Sequence, residues 1–221
     1  QITLAGAEPV ILYTKEEEGF KIDPAELKKL ITPKTRALIL NYPSNPTGAT
    51  YNEIELRRIV DVAMEAGLTI ISDEIYDKII YDGIKHTPVA TLGEDVKKAT
   101  ILVNGVSKTY SMTGWRIGYA AGDKEVINAM GKLQGQSTSN PTSISQWAAL
   151  EAYRGPHDII EARTREFEKR KNYIVERLNS IPGIKCFSPQ GAFYAFPNIS
   201  SFFGKHHNGK VIKSSMDFTE F

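Results

Sequence analysis

A single cysteine, Cys186, stands among 221 residues, so no intrachain disulfide can staple this chain and packing must hold it. That usage fits a reducing compartment, the cytoplasm, with Cys186 read as a packed small hydrophobe rather than a reactive thiol. An excess of charge of either sign is also missing. Lysine and arginine number 27 against 26 acidic residues, a formal net charge of +1. Such a balance leaves no electrostatic footprint for nucleic acid or for an anionic membrane. No apolar run approaches the roughly eighteen residues of a membrane helix, and the first residues carry no basic-plus-apolar leader pattern. A glycine-rich dinucleotide fingerprint is absent, which weighs against a dehydrogenase on the same alternation of strands and helices. The histidines offer no metal site: His206 and His207 sit in a polar stretch read as a solvated loop, while His86 and His157 are isolated. Neither an internal repeat nor a low-complexity segment is present.

What the chain does have is punctuation. Asp23-Pro24-Ala25-Glu26 reads as a capping box with proline at the first helical position, leading into Leu27, Leu30 and Ile31. Asn52 with Glu55 opens a second helix whose Leu56, Ile59, Val60, Ala63 and Met64 share one face, and Gly67 ends it. Three short, strand-like apolar runs punctuate the chain: Ala37–Leu40, which is unbroken, Leu68–Ile71 and Ile101–Val103. They predict strands of a parallel sheet, the first of them, Ala37–Leu40, buried on both faces. From Pro156 a long charged helix carries Ile160, Phe167, Ile174 and Leu178 on one stripe, closing near Pro182-Gly183. Beyond it, Ile184–Phe187 and Ala192–Phe196 read as strands of a smaller unit, and Ser215–Glu220 as the start of a helix. The expected fold is α/β, a three-layer α/β/α arrangement around a mostly parallel sheet, with part of a smaller α+β domain. The expected boundaries are 1–155 for the large domain, 156–180 for the connecting helix and 181–221 for the small domain.

Each of the three apolar runs is followed by residues that suit chemistry. After the first comes Asn41-Tyr42-Pro43-Ser44-Asn45-Pro46-Thr47-Gly48, whose prolines and glycine forbid regular structure and present Asn45 on a rigid turn. After the second comes Ser72-Asp73-Glu74-Ile75-Tyr76, and after the third Ser107-Lys108-Thr109, with Arg116 further along. In an open parallel sheet, ligands bind outside the carboxyl ends of the strands, so Asn45, Asp73 and Lys108 should converge on one site. A lysine amine among small residues can form a Schiff base with an aldehyde, and an arginine can hold a phosphate. Taken singly, each residue has a plainer reading. Asp73 would cap a helix beginning near Glu74, Asn45 would be an ordinary turn asparagine, Arg116 a surface arginine beside Trp115, and Tyr76 a core aromatic with its hydroxyl satisfied.

Taken together, Pro43–Gly48, Ser72–Tyr76 and Ser107-Lys108 through Arg116-Ile117-Gly118 resemble, in order and spacing, the motifs of the aspartate aminotransferase family. These are the fold-type-I enzymes that use pyridoxal 5′-phosphate, and the likeness runs from near residue 4 to near residue 200. The resemblance implies a role for each residue. Lys108 would be the Schiff-base lysine and proton carrier. Asp73 would pair with the pyridine nitrogen and keep it protonated. Tyr76 and Asn45 would hydrogen-bond the ring oxygen, with Asn45 also touching the substrate carboxylate. Arg116 would hold the phosphate, helped by the Ser107 hydroxyl. One departure stands out: many relatives carry a hydroxyl residue three positions before the lysine, where this chain has Gly105, so backbone N–H groups or Ser107 would supply part of the phosphate cup.

The resemblance also implies an amino acid and a 2-oxo acid as substrates, aspartate foremost, and a homodimer in the full-length protein. Relatives are nearly twice as long, which predicts that this chain is an internal-to-C-terminal fragment. The rest of the phosphate loop, the ring-stacking aromatic and the carboxylate-binding arginine would lie outside it, so the segment alone is expected to be inactive. Two other readings stay open: another reaction on the same scaffold (a β-lyase, an aromatic or alanine aminotransferase, an aminocyclopropane-carboxylate-synthase-like elimination), or a cofactor-binding sensor module without turnover.

Overall fold

The computed structural model describes residues 1–207 and 209–220. Its centre is a four-stranded sheet in the order β1 (Ala37–Asn41), β2 (Thr69–Asp73), β3 (Thr100–Gly105), β4 (Gly118–Ala121). The first three strands run parallel, in a register that sets Asn41 beside Asp73 and Asp73 beside Val103. β4 returns antiparallel, with Gly105 opposite Gly118. The fold is therefore α/β with a mostly parallel sheet, as the alternation predicts.

The helices before β2 start where their caps place them. Asp23 accepts from Ala25 N at 2.8 Å and opens α1 (Pro24–Leu30). Its expected reciprocal partner does not form, because Glu26 is drawn instead to Lys29 at 2.6 Å. At α2 (Glu53–Glu65) the box is complete: Glu55 N donates to Asn52 and Asn52 N donates to Glu55, both at 2.9 Å. Gly67, at φ +65°, turns the chain out of this helix, a conformation that costs other residues a Cβ clash. The apolar face of α2, Leu56, Ile59, Val60 and Ala63, is fully buried against Leu40, Leu68 and Ile70 of the sheet side. Burial of each of the larger aliphatic side chains there is worth about 1.5–3 kcal/mol.

Two strand expectations need correcting. β1 is not buried on both faces: on this edge strand of the described sheet Ile39 is 52% exposed, bordering an open cavity that it shares with Gln1, Ile2, Thr3 and Pro9. Ala192–Phe196 forms no strand. The ladder there is β5 (Lys185–Cys186) with β6 (Pro197–Asn198), and the residues between approach other parts of the chain. Cys186 is buried as expected, and that burial raises its thiol above the usual range.

After α2 come α3 (Glu94–Ala99), α4 (Lys124–Ser137), α5 (Ser143–Arg154) and the long α6 (Asp158–Asn179). In α6 the covered stripe includes Ile160, Phe167, Lys171 and Leu178, while Ile174 faces solvent. Lys171 is buried because Asp82 takes its Nζ at 2.8 and 3.0 Å and the Tyr81 ring lies 5.3 Å from it. α4 buries no residue. Its Leu133 and the Ile144 and Trp147 of α5 are among the most exposed large apolar side chains of the chain. His206 and His207 form an exposed two-residue strand, β7, paired with β8 (Lys210–Val211), rather than a loop. A short helix, α7 (Ser215–Thr219), is capped by Ser214. Among the described residues, no helix is long and apolar enough to cross a membrane.

Candidate active site

Lys108 lies on the turn that leaves the carboxyl end of β3. It shares a cavity of about 380 Å³ with Ile75, Ser107, Thr113, Arg116, Ile117 and Gly118. Its Nζ sits 5.7 Å from the ring centre of Tyr76 and 5.4 Å from that of Phe193. No carboxylate or hydrogen-bond acceptor among the described residues engages that Nζ. An amine set against two aromatic rings, with no ion-pair partner, is free to react with a carbonyl compound. Arg116 reaches the same cavity from an exposed turn at φ +55°, an uncommon backbone region for a residue with a Cβ. Its Nη1 donates to Thr113 O at 2.9 Å, which ties the guanidinium to its own turn and leaves its other donors for a ligand.

Asp73, Tyr76 and Asn45 do not line that cavity. Asp73 ends β2 and accepts from Ile75 N at 3.2 Å through Oδ1. The residues after it form turns, not a helix, so the bond closes an Asx turn and the helix-cap reading fails. Tyr76 follows on this turn, with its ring near Lys108 and its hydroxyl 2.5 Å from that of Tyr194. Burial first, and then the Tyr194 contact, raises its phenol well above the usual range. Asn45 stands apart. Its backbone N donates to Asn41 at 2.9 Å, but the residue is exposed and no hydrogen bond among the described residues ties its side chain to the other five.

Gly105 has a physical reason to be glycine. A Cβ there would come within 2.8 Å of Ile117 O and 2.9 Å of Gly118 Cα, so a hydroxyl side chain would push β4 away. Small residues at 105 and 118 let β4 close on β3 and bring Arg116 back toward Lys108.

Two groups escaped the sequence reading. The first is a buried carboxylate. Successive strand residues face opposite sides, so Ser72 points away from Asp73 into the core, and Glu74 continues that side. Glu74 is 2% exposed and accepts from Ser72 Oγ at 2.8 Å, Val89 N at 3.1 Å and His86 Nε2 at 2.6 Å. Tyr42, whose hydroxyl also reaches Thr87 O at 2.9 Å, lies 3.3 Å from it. His86 is thus not isolated; the chain folds it back onto Glu74, a pairing that no local spacing announces. Removing one partner of a buried, paired charge costs far more than the pair contributes. Glu74→Leu is expected to lose about 3–5 kcal/mol of stability in urea unfolding of the full-length protein. A loss below about 1 kcal/mol would show the cluster to be worth no more than a surface pair.

The second is the segment Pro189–Tyr194. Gln190 N and Gly191 N both donate to Gly48 O, at 2.9 and 3.0 Å, and Ala192 N donates to Ile79 O at 2.9 Å. This wedges the segment between the Asn45 turn and the Tyr76 turn. Glycine is required on both sides: a Cβ on Gly48 would lie 2.7 Å from Gly191 O, and one on Gly191 would lie 2.6 Å from Pro43 Cβ. The Pro-Gln-Gly run before two aromatics was the available signal for a turn that presents them.

The sequence model of the family described as aminotransferase class I and II matches residues 1–214. The chain belongs to this family. Among curated aminotransferases, the aspartate aminotransferase of Geobacillus stearothermophilus is 52% identical over 198 residues, 90% of this chain and 50% of that protein. That of Bacillus subtilis is 51% identical over the same length, with the same shares. Among solved aminotransferase structures, the aspartate aminotransferase from Rhizobium meliloti matches with a TM-score of 0.94 at 41% identity, covering 98% of this chain and 55% of that one. The chain spans about half the length of the curated relatives it matches.

Proposed function

We propose that the full-length protein is a pyridoxal-phosphate-dependent aminotransferase, moving an amino group between an amino acid, aspartate foremost, and a 2-oxo acid. The observation that carries this reading is Lys108. Its amine has no ion-pair partner among the described residues, it lies at the end of a parallel strand against two aromatic rings, and it shares one cavity with Arg116. Aspartate as donor is supported by the aspartate aminotransferases that match at 51–52% identity.

The donor set fits the cofactor. A cationic guanidinium and a hydroxyl, Arg116 and Ser107, share the Lys108 cavity and suit a phosphate. Asp73 has one oxygen uncommitted and suits a ring nitrogen. When bound, pyridoxal phosphate supplies an aldehyde that condenses with amines and a protonated ring that draws electrons from the substrate. Lys108 Nζ would hold that aldehyde covalently and, once released from it, take the proton from the substrate α-carbon. Asp73 would hold the proton on the ring nitrogen, since a nearby carboxylate favours the cationic form. Tyr76 and Asn45 would donate to the ring oxygen, and Asn45 would also meet the substrate carboxylate; the exposed Asn45 would have to be covered by the rest of the protein.

In this reading residues 1–155 belong to the cofactor domain, 156–180 to the connecting helix and 181–221 to the small domain, and the protein works as a cytoplasmic homodimer. The test is direct. Full-length protein mixed with pyridoxal phosphate should show a new absorbance band, and borohydride should fix the reduced cofactor's mass on Lys108 alone. An adduct on Lys124 or Lys132 would overturn the assignment.

A further inference from the structure

We infer that Tyr194 is a positioning residue for the reaction: its hydroxyl donates to Tyr76 Oη, so that the hydrogen of Tyr76 is left for the group bound at Lys108. The inference rests on the cofactor reading and adds a residue that this reading does not use.

The two phenol oxygens lie 2.5 Å apart, and each hydroxyl has a single hydrogen. One must give and the other receive. If Tyr76 gave its hydrogen to Tyr194, it would have none for a ligand oxygen beside Lys108. With Tyr194 as donor, Tyr76 receives one hydrogen and offers its own, and a phenol that accepts a hydrogen bond becomes a stronger donor in turn.

The fold holds Tyr194 in place for this contact. The chain before it runs through Ala192, fully buried at φ +57°, a region that residues with a Cβ seldom adopt. Such a conformation persists only where the surroundings over-determine it. Here they do: Ala192 N donates to Ile79 O at 2.9 Å, the Tyr81 hydroxyl donates to Ala192 O, and Gly191 bridges to Ile80. The next residue, Phe193, packs edge-on to Tyr76 and stacks on Phe167 of α6. One backbone kink thus delivers both the ring facing Lys108 and the hydroxyl facing Tyr76.

The test follows the colour of the Lys108-bound cofactor as pH is varied in full-length holoprotein. The cofactor ring oxygen receives the Tyr76 hydrogen, which favours the deprotonated chromophore, so losing that donor should raise the midpoint. Tyr194→Phe keeps the ring and removes the hydroxyl. It should raise the midpoint by about 0.4–1 pH unit, the equivalent of one neutral hydrogen bond. The shift should vanish when Tyr194→Phe is made in a Tyr76→Phe background, because the effect runs through Tyr76. Placing 3-fluorotyrosine, a stronger donor of the same shape, at position 194 should move the midpoint down. An unmoved midpoint in either variant, or an equal shift without the Tyr76 hydroxyl, overturns the proposal. Wild-type protein with no adduct on Lys108 would instead bring down the cofactor reading, and the proposal with it.

Discussion

Under the proposed function, Lys108→Ala is expected to lower turnover of the full-length protein by about ten-thousandfold, the upper end for removing a single proton-transfer group. The reason lies in how little else surrounds that amine. The rings of Tyr76 and Phe193 stand beside it, and neither can take a proton from carbon. No other lysine lines the cavity. Stability should change little, because the side chain makes no ion pair or hydrogen bond among the described residues. Single-turnover kinetics with aspartate, alongside a thermal melt of the same preparation, would check both halves. Turnover within about a hundredfold of wild type would assign the proton transfer to another group.

Asp73→Asn should cost far more than its size suggests. The substitution preserves shape and the bond from Ile75 N, since an asparagine oxygen accepts as well as a carboxylate. It removes only the negative charge. If that charge keeps the ring nitrogen protonated, turnover should fall at least about a hundredfold, some 2.7 kcal/mol of activation free energy. Glu74, next in sequence, cannot stand in: it is directed to the other side and committed to His86, Ser72 and Val89. Steady-state rates of Asp73→Asn against wild type decide the matter. Near-normal turnover would reduce Asp73 to the acceptor of its own Asx turn.

The parts of the fold legible in the sequence were those set by neighbours along the chain. An apolar run followed by proline, glycine or a small polar residue is a local signal, and all three such runs became strands with the expected turns at their ends. The complete capping box at Asn52 is local as well. Errors arose where distant segments decide. The exposure of Ile39 depends on what lies beside β1, which the run itself does not say. His86 gains its partner only after the chain has folded over Glu74. Tyr194 reads as one residue of a strand, Ala192–Phe196, and its meeting with Tyr76 spans a separation of 118 residues. A contact between such distant residues leaves no spacing to read.

The interlock of Gly48 with Gly191 bears on the order in which the protein is built. As the chain leaves the ribosome, the three parallel strands and the Lys108 turn emerge well before the residues that wall them in. Closing so long a loop is entropically costly and is repaid only when the distant contacts form. A nascent chain arrested after β4 would carry Lys108 without Phe193 beside it and Tyr76 without its hydroxyl partner. Maturation of the pocket is therefore a late event in biogenesis, and an immature polypeptide has the Lys108 amine with only one of its two flanking rings, that of Tyr76.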